Sequence, residues 1–405
     1  MSFFKKDELR LLWPFYLEAI FVNLIYLYPI FYVLYMKDIG LSLTQIGFLT
    51  SAYCLANLIF EIPTGAIADI FGRKLSTILG YFLTGLSMLF VMFFTNYYIL
   101  LGLFFVRGAV ETLRSGAEEA WIVDLLKHKK RKNLIHDFYQ KNHSFISLGA
   151  VLAGIVGAFF VKQFGLGIIW PITAGSLILT SFIFIFGKEH FIKRKQKTYQ
   201  AIKEVYLHSK KSVKYSLIHP VMFLLLLTGM ITVFVSVVAG DITWYPFLQN
   251  LGFKEYWFGY LASAGCLFGI FIPYITKKLC RKVGGYKKYL TFFLILESIL
   301  LISVFFLNKM FFAIAIYLLF LAVPDFYSPV RCTFFQHFLS SKIRATISSF
   351  RNMLFSISAL IAAPLAGFVA DKIGPQKTIA LAGILLIPAI ILYLKIPNNK
   401  VPKSK

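Results

Sequence analysis

The sequence predicts an all-α polytopic membrane protein, with twelve transmembrane helices in two pseudo-symmetric six-helix bundles. Composition, apolar run length and an internal repeat carry that reading. Of 405 residues, 58% are hydrophobic and 15% charged, against about 25% charged in ordinary globular domains. Apolar runs of 18 residues or more recur from end to end, each long enough to cross a hydrocarbon core of about 30 Å as a helix. This excludes a soluble enzyme and argues against barrel strands.

Turn and charge signals divide the first half into spans at 11–36, 44–68, 75–95, 97–125, 138–162 and 166–187. The second half repeats the plan at 219–249, 254–277, 288–307, 309–338, 346–370 and 376–396. The expected domains are 1–187, a basic linker at 188–217, and 218–405; the linker reads as a solvated tether, part of which could lie as an interfacial helix against lipid headgroups. The start of the chain reads as a retained first span, because its apolar run lacks a small-residue cleavage site.

Of the 42 Lys and Arg, 31 fall on the side of the termini and 6 on the opposite side. That bias places both termini in the cytoplasm of a cell whose plasma (inner) membrane holds the chain. It also accounts for the net charge of +24 without a nucleic-acid partner. Cys54, Cys266, Cys280 and Cys332 sit in or beside apolar helices without metal-ligand spacing, so neither a disulfide framework nor a metal site is expected. No cofactor is expected either, and the absence of a G-x-x-x-x-G-K-S/T loop argues against direct ATP coupling.

The repeat supports two halves. A shift of 212 residues superposes Gly40, Gly47, Ser51, Ala52, Cys54, Leu55 and Gly72 on Gly252, Gly259, Ser263, Ala264, Cys266, Leu267 and Gly284. A shift of 209 brings the stretch from Leu152 onto that from Ile361. Parallel halves of this kind place a substrate site between them at the midplane.

Between spans 2 and 3, Gly65, Asp69, Gly72, Arg73 and Lys74 form the pattern G-x-x-x-D-x-x-G-R-K. In its own chemistry, Gly65 permits close approach of another helix, Asp69 suits the positive end of a neighbouring helix, and Arg73 can fork onto Asp124 at the cytoplasmic end of span 4. The pattern resembles the signature of the major facilitator superfamily at all five fixed positions. The resemblance, which covers the whole chain, implies a secondary transporter whose neighbour for Asp69 is span 11, opening near Thr346, and whose motif latches the cytoplasmic side. The counterpart loop of the second half keeps Gly284 but has Arg281 and Gly285 where Asp69 and Arg73 would map. Span 5 lacks the Gly-Pro pair of many drug exporters. The run from Ser115 to Trp121, with Asp124, looks like poorly characterised bacterial permeases of the family.

Ionisable residues at bilayer depth are costly and mark function. Glu18 lies on span 1; Arg107, Glu111, Arg114, Glu118 and Glu119 on span 4; Asp241 on span 7; Asp325 and Arg331 on span 10. Only Glu297 and Arg351 fall elsewhere at comparable depth. The resemblance implies that spans 1, 4, 7 and 10 line the cavity. Arg107, Glu111, Arg114 and Glu118 follow at spacings of 4, 3 and 4, which at about 100° per residue makes them a single stripe on one helical face. Such a stripe either neutralises itself or forms a polar wall where substrate and proton compete. Tyr26, Tyr28, Trp244, Tyr245, Phe326 and Tyr327 offer aromatic faces to a flat or cationic ligand.

The function expected is alternating-access movement of a small molecule by a monomer whose other partners are protons and membrane lipids. Proton-coupled export of amphipathic compounds or metabolites is preferred to uptake of a polar or anionic nutrient. A transporter-like sensor or lipid-handling protein is the remaining class. Glu111 or Glu118 is the expected proton carrier, with Asp325 the alternative and Glu297 without a cavity role.

Overall fold

A computed structural model describes residues 4–190, 218–339 and 344–396. Most of the expected linker, the expected cytoplasmic C-terminal tail and residues 340–343 of the loop before span 11 therefore lie outside the described residues. The helices run in order α1 Glu8–Ile25, α2 Tyr28–Asp38, α3 Leu43–Phe71, α4 Arg73–Val91, α5 Tyr97–Glu111, α6 Ala117–His128, α7 Leu134–Phe164 and α8 Ile169–Ile185. They continue as α9 Pro220–Val238, α10 Asp241–Asn250, α11 Trp257–Val283, α12 Tyr286–Ser303, α13 Met310–Gln336, α14 Arg344–Ile373, α15 Pro375–Leu385 and α16 Ile387–Leu394.

Ten helices among the described residues are long and apolar enough to cross a membrane, eleven if α11, bent by 43°, counts as one span. Expected span 4 is not among them. It breaks into α5 and α6 across 112–116, so neither piece has the length, and the charged stripe does not run along one continuous helix. Spans 1 and 7 also break, between α1 and α2 and between α9 and α10, although each pair still passes as one crossing.

A break in lipid exposes backbone groups that cost several kcal/mol each unless they are satisfied. Hydroxyls supply the partners here. Thr173 Oγ1 accepts from Leu27 N at 3.2 Å. Thr243 Oγ1 donates to Val238 O at 2.8 Å. At the span 4 break, Ser76 Oγ donates to Leu113 O at 2.6 Å and Thr64 Oγ1 reaches Thr112 O at 3.2 Å. Gly80 lets the break press against α4, since a Cβ there would lie 2.9 Å from Arg114 N and Cβ.

The chain forms two compact units. Unit 1 comprises 1–40, 52–195 and 254–266; unit 2 comprises 41–51, 196–253 and 267–405. Each therefore takes the first turns of one helix, α11 or α3, from the other half of the sequence. In unit 1 the N-terminal segment is pinned to α7: Lys141 Nζ donates to both oxygens of the buried Glu8 at 2.7 Å. Arg131 beside it donates to Asp7 and holds that carboxyl below its usual range.

Candidate functional site

The polar interior of unit 1 is assembled from α1, α3, α4 and the broken span 4. Arg107, on the last turn of α5, is 4% exposed. Its guanidinium lies 4.1 Å from the Tyr28 ring centroid and 4.6 Å from that of Tyr53, and donates to Tyr26 Oη at 3.1 Å. Glu111 Oε1 accepts from Arg114 at 2.7 Å, while its Oε2 lies 3.5 Å from Arg107. Glu111 is thus bracketed by two cations, and Arg107 already fills the faces of Tyr28 and Tyr53. The tyrosines expected to stack a ligand are used by a side chain of the same unit.

Beyond the break, Glu118 leaves this triad. Tyr81 Oη, fully buried on α4, lies 2.8 Å from Glu18 Oε1 and 3.1 Å from Glu118 Oε2, and accepts from Arg114 Nη1 at 3.3 Å. The phenol has a single hydrogen to give, yet it faces two carboxyl groups. Two acids held by one donor are an arrangement suited to binding and releasing a proton. Tyr81 was not singled out by sequence. A tyrosine in the middle of an apolar run, away from the interfacial belts, is the only sign it leaves there.

The signature residues gather at one end of the same unit. Arg73 Nη1 donates to Asp124 Oδ2 at 2.5 Å and lies 3.7 Å from Asp69 Oδ1. Gly72 precedes α4 at φ 103°, a conformation that side chains rarely adopt. Lys74 Nζ donates to Ile185 O and Gly187 O at 2.7 and 2.8 Å, closing the last turn of α8. Gly65 differs from expectation: a Cβ there would meet nothing within 4 Å, so no described helix presses on it. The expected neighbour of Asp69, Thr346, has a side chain outside the described residues.

Unit 2 treats its candidates differently. Trp244 and Tyr245, expected to face a ligand, are buried inside it at 0% and 4% exposure. Trp244 packs 4.9 Å from Tyr317 and 6.0 Å from Phe320. The short helix α10, set off by Gly240, turns both rings into the core, and Asp241 forms its first turn. Asp325 stands against Gly269, whose added Cβ would lie 3.5 Å from Oδ2. Arg331 donates to Thr232 Oγ1 at 2.8 Å, over Tyr327 and Phe355. Glu297 is 1% exposed, and among the described residues one of its buried oxygens makes no hydrogen bond.

The family model described as Major Facilitator Superfamily matches residues 17–323. The chain belongs to the Major Facilitator Superfamily. Within the superfamily it is 23% identical over 381 residues to YxaM, an uncharacterized MFS-type transporter of Bacillus subtilis (strain 168), covering 91% of each chain. The crystal structure of the nucleoside transporter NupG shares the fold at a TM-score of 0.78 and 12% identity, over 94% of this chain and 98% of that one. A D-xylose-proton symporter does so at 0.65 and 14%, over 97% and 99%. Among the described residues every regular element is helical; Glu18, Arg107, Glu111 and Glu118 sit on helices and Arg114 in the break between α5 and α6.

Proposed function

We propose that the chain is a proton-coupled secondary transporter working by alternating access. The observation that carries this is the Glu18–Tyr81–Glu118 group. Its two carboxyl groups share one phenolic donor, so a proton gained or lost there reorganises hydrogen bonds that span α1, α4 and α6. Glu118, with Glu18, is therefore favoured over Glu111, whose charge is already answered by two arginines. The similar fold of a D-xylose-proton symporter fits coupling to protons.

For the solute, export of amphipathic compounds or metabolites remains the reading. Uptake of an anionic nutrient would use Arg107, Arg114 or Arg331; Arg107 and Arg114 both hold Glu111, which leaves Arg331, bonded to Thr232, as the cation for that second reading. On the Lys and Arg bias, both termini face the cytoplasm of the plasma membrane. A cysteine at Gln200 that reacts with an impermeant reagent outside intact cells would reverse that orientation.

Coupling is tested in proteoliposomes with an imposed pH gradient and a panel of amphipathic dyes, nucleosides, sugars and small peptides. At least one class should accumulate only while the gradient lasts. Glu118→Gln and Glu18→Gln should each abolish accumulation and leave passive exchange, because Gln matches the protonated acid in shape. Accumulation that survives collapse of the gradient, or both substitutions, removes the proposal.

A further inference from the structure

The two sequence shifts meet at two helix crossings. In unit 2, Ser51 Oγ of α3 donates to Leu360 O of α14 at 2.5 Å. In unit 1, Ser263 Oγ of α11 donates to Val151 O of α7, also at 2.5 Å. Ser263 is Ser51 shifted by 212, and Leu360 is Val151 shifted by 209. Four residues before each serine stands a glycine, Gly47 or Gly259, whose backbone lies against a carbonyl of the partner helix, Ala363 O or Gly154 O, again related by 209. A side chain at either glycine would collide with that backbone, so these residues set the separation of the helices.

The symmetry fails at one end of these crossings. Asp371 ends α14 and accepts from three donors at the start of α3: Leu43 N at 3.1 Å, Thr44 N at 2.8 Å and Thr44 Oγ1 at 2.6 Å. Shifted by 209, Asp371 falls on Lys162; shifted by 212, Thr44 falls on Tyr256. There the contact is a lysine 5.6 Å from a ring centroid. Asp371 also sits in a second copy of the signature's first part, G-x-x-A-D-x-x-G, at 65–72 and again at 367–374.

We propose that Asp371 is a releasable clamp. It fixes the first turns of α3 onto α14 on the face of the protein opposite the termini, and transport must break it to open that face. The inference rests on the alternating-access reading and is independent of which acid carries the proton. A carboxylate on two backbone N–H groups of a helix start is charge-assisted and favoured by the helix dipole. The helix end survives its departure because Ser42 and Gln45 cap each other reciprocally, Ser42 N to Gln45 Oε1 at 2.9 Å and Gln45 N to Ser42 Oγ at 3.2 Å. At the equivalent crossing in unit 1 the position matching Asp371 is a lysine, Lys162, rather than an acid, so the clamp is one-sided.

Spin labels at Phe48 of α3 and Leu365 of α14, both exposed, report the separation without touching the clamp. The four native cysteines are first replaced by alanine. Two distance populations are expected in the parent protein. Asp371→Asn should raise the ratio of long to short about fivefold, the usual scale for loss of a helix cap. Thr44→Val, which keeps the acid, should raise it about threefold, and it carries the test if Asp371→Asn does not fold. Lys162→Gln should leave the ratio unchanged. An unaltered ratio in Asp371→Asn and Thr44→Val, or an equal rise in Lys162→Gln, overturns the clamp while alternating access stands. A single invariant distance in every variant, with or without a pH gradient, overturns both.

Discussion

The two units bury polar groups by opposite means. In unit 1, Arg107, Glu111 and Arg114 answer one another, and Glu18 and Glu118 meet across Tyr81. In unit 2, Arg331 leans on aromatic rings and one hydroxyl, and Glu297, like Glu111 of unit 1, keeps one buried oxygen outside the described hydrogen bonds. A network of mutual charges is stable only while complete, because removal of one member strands the others at low dielectric. Isolated groups held by neutral neighbours have less to lose. The contrast locates the sensitive chemistry in the first half of the chain.

Substitution at Glu111 would break the contrast most severely. Glu111→Gln leaves Arg107 and Arg114 facing each other without an anion, and should cost about 3–5 kcal/mol, as breaking buried pairs does. In unit 2, Thr232→Val removes the hydroxyl that Arg331 uses and should cost only about 1 kcal/mol. Thermal unfolding of both variants in detergent decides the matter; equal losses would mean the units are balanced alike. The smallest effect is expected at the signature. Asp69 is 55% exposed and 3.7 Å from Arg73, so Asp69→Asn should change the stability of unit 1 by no more than about 0.5 kcal/mol. Asp124→Asn, which removes the negative charge from the 2.5 Å contact with Arg73, should exceed it. A larger loss at Asp69 in the same unfolding measurement would point to a partner beyond Arg73.

The fold was legible because lipid imposes long apolar runs, and because Gly72, Arg73 and Asp124 carry a local pattern with a local meaning. The charges on span 4 were legible for the same reason. Their arrangement was not. Periodicity assumes an unbroken helix, and the break at 112–116 depends on Ser76, Thr64 and Gly80, which come from other spans and leave no periodic trace. Tyr81 and Thr44 were missed likewise, since each acquires its role from residues distant in sequence. The burial of Trp244 and Tyr245 was not legible, because aromatic character does not tell which way a short helix such as α10 turns its rings.

The break in span 4 also bears on how the chain enters the membrane. On insertion scales an Arg or acidic residue at the centre of a helix costs about 2.5–3.5 kcal/mol, and this segment carries several without the length of one uninterrupted crossing. Released alone from the translocation channel, it would partition back toward water. Ser76, Thr64 and Tyr81 come earlier in the sequence and leave the ribosome first, so the groups that satisfy the break are synthesised before the segment that needs them. Order of synthesis thereby becomes part of what makes the segment transmembrane.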